Sequence, residues 1–263
     1  MNAVPSISDF LGGSDEPFVI SDYGAVRVVI INRPSARNAL TRDMRRSFAE
    51  IFRSADGNPA ISAIVLTGAD PAFCAGVDLK ERGAGAPPPP VRPCPGEVLR
   101  AARTPVIAAV NGPCATGALE MALSCAFVIA SERARFGDTH AKLGLFPSWG
   151  QSALLPRAIG IRRARQLMLS GEFIDARAAY DWGIANEIVA HDDLLARAIA
   201  IGAMIADACP ISVELILGAL DETECRFTDP ALAVEDRARE RWEAWSAKRY
   251  DSAASRANEE GDR

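Results

Sequence analysis

The chain has 263 residues, 49% of them hydrophobic, and 29 basic against 34 acidic side chains give a net charge of −5. That size and apolar share suit one large globular domain or a domain with a small appendage. The acidic balance offers no basic face to nucleic acid, and Gly, Pro and Glu120 interrupt the best apolar run before it could span a bilayer.

The six cysteines show neither C-x-x-C metal spacing nor the density of a secreted framework, which predicts reduced and mostly buried thiols in a cytoplasmic protein. The start, MNAVPSISDF, lacks the basic and apolar regions of a signal peptide. Residues 1–17 read as a loose lead-in. Val26 to Ile31 is a β-branched run and predicts a strand. A turn over Ser35 to Leu40 leads into a helix over Thr41 to Ala55, with Thr41 as N-cap. Ala63 to Thr67 is a second core strand, followed by a turn at Gly68 to Pro71. Asp78-Leu79-Lys80-Glu81 has the form of a capping box, with Glu81 reaching back.

Gly83 to Pro95 contains four consecutive prolines, Pro87 to Pro90, and predicts an extended surface insertion or a wall over a bound ligand. Val106 to Ala130 then reads as a buried strand, a Gly/Pro turn and a helix opening at Gly117. Glu120 lies in the first turn of that helix inside an apolar run, where a carboxylate is costly unless paired, bonded or used. Helix-end amides beside a carboxylate and small residues suggest chemistry on a carbonyl oxygen. Further on, Arg135 to Gly137 predicts a short strand, Arg157 to Ser170 and Ala176 to Trp182 helices, and Ile184 to Val189 a strand. From Asp192 the pattern is helical, broken at Pro210, and the charged end, Glu259 to Arg263, predicts disorder. The alternation gives an α/β core over 18–195, a helical part over 196–256 and a disordered tail over 257–263.

Three stretches, AFCAGVDLK (Ala72 to Lys80), AAVNGPCATGALE (Ala108 to Glu120) and FGDTHAKLGLFP (Phe136 to Pro147), resemble the crotonase, or enoyl-CoA hydratase/isomerase, superfamily. INRPSARNAL (Ile31 to Leu40) and LMLSGEFIDARAAYDWGIANEIV (Leu167 to Val189) fit the same pattern. The resemblance implies an α/β fold: a spiral of ββα units with a helical C-terminal region, assembled as a homotrimer or a dimer of trimers. It implies an acyl-CoA thioester substrate and no cofactor or metal beyond the coenzyme A that the substrate carries. It places two oxyanion-binding amides on Val77 and Gly117. It also implies that Ser35, Ala36, Arg37 and Ala39, with Ala75, Asp78, Leu79 and Lys80, line the coenzyme A site. Lys80 reads either as a phosphate neighbour or as a solvated surface lysine. Trp245 and Lys248 resemble a pattern that reaches the nucleotide of a neighbouring subunit.

Hydratases of this superfamily use two glutamates. Glu120 falls on the first position, and His140 falls on the second. An imidazole can donate or remove a proton near neutral pH. Asp138 is either its orienting partner or a second acid/base. Trp149 stands where many relatives have small residues, and it enters either the acyl pocket or the core. Cys74 and Cys114 lie near the expected oxyanion site without an identifiable base, which argues against a nucleophile. His191, with Asp192 and Asp193, invites a metal reading, but adjacent aspartates there predict a helix cap. These residues point to hydration of a 2-enoyl-CoA. The alternatives are another reaction through the same enolate (isomerisation, decarboxylation, thioester hydrolysis) and a catalytically weak acyl-CoA-binding protein.

Overall fold

The computed structural model describes residues 16–82 and 90–261, with no side-chain description for 82 and 248–261. Most of the expected lead-in, Pro87 to Pro89, the Lys248 side chain and residues 262–263 therefore lie outside the described residues.

A six-stranded sheet carries the fold. Its strands are β1 (Phe18–Tyr23), β2 (Val26–Ile31), β3 (Ala63–Gly68), β4 (Val106–Val110), β6 (Phe127–Ser131) and β9 (Glu187–Val189), in that spatial order. Only the β1–β2 hairpin is antiparallel; β2 to β9 pair in parallel. A second sheet holds β5 (Pro113–Ala115), β7 (Arg135–Gly137) and β8 (Phe173–Asp175). The helices are α1 (Arg42–Asp56), α2 (Pro95–Arg100), α3 (Gly117–Leu123), α4 (Gln151–Ile159), α5 (Ile161–Ser170), α6 (Ala176–Trp182), α7 (Leu194–Ala206) and α8 (Pro210–Gly261).

The central strands are largely apolar because both sheet faces are covered. Alternate residues divide between the faces. Val28, Ile30, Val65, Ile107 and Ile129 meet Leu194, Leu195, Ala198 and Ile199 of α7. Val29, Ile31, Ile64, Leu66, Ala108 and Val128 face the larger core, which holds Phe48 and Phe52 of α1 and Leu119 of α3. The boundary expected at residue 195 thus falls inside a helix that packs on the sheet.

Helix α1 begins as its sequence predicts: the Thr41 side chain accepts from Met44 N at 3.2 Å. Several expectations are corrected. The hairpin strand β1 was not expected, since it lies at the sheet edge with Ile20 and Asp22 exposed and Ser21 only half-buried. The turn before α3 contains the strand β5, paired to β7. The helix expected over 157–170 is two helices, broken at Gly160 with φ +78. Glu81 does not reach back to Asp78. It accepts from Arg42 N at 2.6 Å and so caps α1, while Asp78 N donates to Leu40 O. Asp193 sits at the N-cap of α7 without a side-chain cap bond. The backbone stays helical to Gly261, through residues whose charge predicts disorder.

Candidate active site

The site forms where the loop after β3 meets the start of α3. Leu40 N donates to Gly76 O and Asp78 N donates to Leu40 O, a one-residue bridge that leaves the Val77 amide outside the ladder. Gly76 has φ +86, and a Cβ on it would lie 2.8 Å from Thr116 Oγ1 and 3.1 Å from Gly117 N. Only glycine allows that backbone and that approach, so the two loops are in contact where Val77 and Gly117 begin. Thr116 has φ +52 and ψ −117, a sparsely populated conformation held immediately before α3. Gly117 is the first residue of α3, so its amide has no partner within the helix. Among the described residues neither the Val77 nor the Gly117 amide donates to a backbone acceptor.

Both residues line a cavity of about 480 Å³ that also holds Glu120 and His140. Glu120 is 1% exposed. Its Oε1 accepts from Trp149 N at 2.7 Å and from Gln151 N at 3.1 Å. Its Oε2 stands 3.8 Å from His140 Nε2. The other ring nitrogen, Nδ1, is 2.6 Å from Asp138 Oδ1, which also accepts from His140 N. Asp138 is fully buried and does not line the cavity, so it orients the imidazole instead of meeting a ligand. Burial pushes the Glu120 carboxyl up to about 7; the His140 charge and the Trp149 and Gln151 amides oppose the rise, and Glu235 adds to it. Burial also acts to lower His140. The Asp138 bond and the charges of Glu120, Asp138 and Glu235 outweigh it, and the imidazole sits above its ordinary value. A carboxyl and an imidazole both raised above their ordinary values, facing each other beside two amides without backbone acceptors, can move protons on either side of a polarised carbonyl.

A family model described as enoyl-CoA hydratase/isomerase matches residues 21–243. A Rhizobium meliloti protein named "Probable enoyl-CoA hydratase" is 36% identical over 250 residues, 90% of this chain and 97% of that protein. The chain belongs to the enoyl-CoA hydratase/isomerase family. A crystal structure of an enoyl-CoA hydratase from Mycobacterium avium, 37% identical, superposes with a TM-score of 0.81 over 89% of this chain and all of that one. A structure titled as a monofunctional enoyl-CoA isomerase from M. smegmatis, 29% identical, superposes at 0.68 over 79% of this chain and 93% of that one. The crotonase fold expected from the motifs is therefore the observed one.

Within this family member the cavity wall differs from the expected roll. Ala75, Val77, Leu79 and Trp149 line it. Ser35, Ala36, Arg37, Ala39, Asp78 and Lys80 do not. The Ser35–Ala39 turn packs behind the wall, with Ala75 N donating to Arg37 O at 2.9 Å. Asp78 is buried in an ion pair with Arg33 at 2.5 Å, and Lys80 is exposed. The arginines that reach the wall are Arg42 and Arg45 of α1, Arg92, and Arg239 of α8. Arg92 is ion-paired with Glu97, and burial lowers Arg45 below its usual value. The sequence signal for Arg42 and Arg45 was ordinary, a charged stripe on a helix that normally means solvent. Pro90 and Val91 also line the cavity, so the described end of the proline run is wall.

Trp149 is both core and wall. It is 7% exposed, and its ring lies 2.8 to 3.3 Å from where a Cβ on Gly117 would sit. The C-terminal helix contributes Arg239, Trp242, Glu243 and Ala247 to the wall, and Trp242 Nε1 donates to Gly144 O at 3.1 Å. Trp245 is half exposed and outside the wall.

The remaining candidates are structural. His191 is 3% exposed, with Nε2 2.9 Å from Asp70 and Nδ1 3.0 Å from Ser131 Oγ. This Ser-His-Asp trio does not line the cavity of Glu120 and ties β6 to the loop after β3. Among the described residues no group of His, Cys, Asp and Glu could hold a metal. Burial pushes the Cys74 thiol up to about 12 and Cys114 well above its ordinary value, which leaves neither ionised for attack. No single helix among the described residues is long and apolar enough to cross a membrane.

Proposed function

We propose that the protein adds water across the double bond of a 2-enoyl-CoA thioester. The observation that carries this is the Glu120–His140 pair, 3.8 Å apart at the end of a cavity whose wall includes Val77 and Gly117. The two amides donate to the thioester oxygen and stabilise the enolate that forms there. Glu120 Oε2 takes a proton from water as the water oxygen bonds to the β-carbon, and the π electrons move onto the thioester. His140, protonated and held by Asp138, gives its Nε2 proton to the α-carbon as the enolate collapses. The facing pair resets when Glu120 returns its proton to the imidazole. Each step uses only these side chains and amides, with no cofactor beyond the coenzyme A of the substrate. Arg42, Arg45 and Arg92 suit its phosphates.

Absorbance loss of crotonyl-CoA tests the reading. Fast loss in the wild type, abolished by Glu120→Gln, supports it. No loss in the wild type, with turnover appearing in His140→Glu, sinks it for histidine and leaves the scaffold intact. Isomerisation is the second reading, favoured by the single carboxylate, Glu120, beside Gly117; a shifted double bond without added water would select it.

The assembly we propose is a homotrimer or dimer of trimers. Ile211, Leu215, Ile216 and Leu220 of α8 are exposed and apolar, a face that suits a second copy. Six unbridged cysteines support a reducing, cytoplasmic setting.

A further inference from the structure

Four consecutive residues, Trp149 to Ser152, lead into α4, and their amides divide between two carboxylates. Trp149 N and Gln151 N donate to Glu120 Oε1. Gly150 N and Ser152 N donate to Glu235 Oε1 and Oε2 at 2.9 and 2.7 Å, and the Ser152 hydroxyl donates to Glu235 Oε2. Gly150, with φ +117, permits the turn in which neighbouring amides serve opposite sides. Glu235 comes from α8, is 4% exposed and does not line the cavity of Glu120.

We propose that Glu235 is a positioning residue for the reaction: it clamps the Trp149–Ser152 turn against Glu120 and thereby aims the free oxygen of Glu120 at the reacting water. This rests on the reading of Glu120 as the base. Because Oε1 carries both amides, Oε2 alone is left for chemistry. That division lasts only while Trp149 and Gln151 stay in place, and the residues alternating with them are held by Glu235. A small polar N-cap would satisfy the start of α4 at lower cost than a second buried carboxylate.

Charge is the second route of action. Glu235 opposes ionisation of Glu120 and favours the protonated imidazole. The other charges around the turn are His140 and Asp138 from the loop after β7, and Arg100 of α2, which donates to Trp149 O at 2.7 Å. Asp236 and Arg239 flank Glu235 on α8 and pair with each other. None of these removes the repulsion between two carboxylates that share one turn.

Crotonyl-CoA hydration, followed across pH in the wild type, Glu235→Gln, Glu235→Asp and Glu120→Gln, tests the proposal. Glu235→Gln keeps the shape and loses the charge. Its kcat is expected to fall about tenfold or more from misplacement of the base. KM is expected to hold, and the acid limb to move to lower pH. Glu235→Asp keeps the charge but is one methylene short; its kcat falls with the acid limb in place. Wild-type kinetics in Glu235→Gln overturns the proposal. So does lower activity with an unmoved acid limb, the signature of a mere helix cap. If Glu235→Gln does not fold, unchanged kcat in Glu235→Asp overturns it. Turnover surviving in Glu120→Gln overturns the base itself, whatever Glu235 does. An inactive Glu120→Gln beside a wild-type Glu235→Gln sinks only the role of Glu235.

Discussion

Replacing Gly117 with alanine puts the contact between the oxyanion loop and Trp149 to the test. The added Cβ would meet the six-membered ring of Trp149 at 2.8, 3.2 and 3.3 Å. Carbon atoms prefer about 3.5–4.0 Å, so the ring must yield by more than half an ångström. It cannot swing away freely: the side chain is buried, 7% exposed, and the backbone of Trp149 is pinned on both sides, its N–H donating to Glu120 and its carbonyl accepting from Arg100. Overpacking of this kind costs about 1–3 kcal/mol, or about 2–4 °C of Tm per kcal/mol in a chain of this size. The amide of residue 117 shifts with the strain, and losing one oxyanion donor costs about 10²–10³ in kcat. Thermal melting and crotonyl-CoA absorbance measure both effects. Trp149→Leu removes the ring, so in the double variant the two stability losses should overlap by about 1 kcal/mol or more. Additive losses would mean that ring and glycine do not touch. A lower Tm with full activity would mean that the Gly117 amide is not the donor.

The pH profile of kcat/KM should be bell-shaped. It rises with pH through about 7 as the Glu120 carboxyl ionises, and falls at higher pH as the imidazole, raised above its ordinary value, loses its proton. His140→Gln should erase the descending limb; a limb that survives assigns it elsewhere. Arg45→Ala should raise KM for acyl-CoA substrates with little change in kcat, the pattern of lost uniform binding, and titration with free coenzyme A checks it. Thr41→Ala removes the cap on Met44 N and should cost about 1 kcal/mol in a denaturant midpoint without altering kinetics.

The parts of the fold legible in the sequence are those whose physics is local. β2, β3 and β4 are buried on both faces, so apart from Arg27 at the start of β2 they read as β-branched or apolar runs. Thr41 and Glu120 stood out because a hydroxyl before a helix and a carboxylate in an apolar run each have few explanations. What distance along the chain conceals was missed or misplaced. Glu81 lies three residues from Asp78 but caps α1, across 39 residues. The pairing of His140 with Asp138 is two residues long and was anticipated. The clamp of Glu235 on Gly150 spans 85 residues and left no trace in the local pattern. Arg42 and Arg45 were hidden by the reverse effect, since a charged helix face looks the same whether it meets water or the wall of a cavity.

The origin of the cavity wall has a consequence for how such a chain can diversify. Both amides, the base and the imidazole belong to residues 77–140, while Arg239, Trp242, Glu243 and Ala247 close the wall from the last helix. That helix is docked through few buried side chains, Thr228, Glu235 and Ser246 among them. Drift along it at positions other than Glu235 can reshape the wall while Glu120 and its turn stay in place. A chimaera carrying a relative's final helix, with Glu235 kept, should inherit its reaction from one parent and its preference for substrate length from the other.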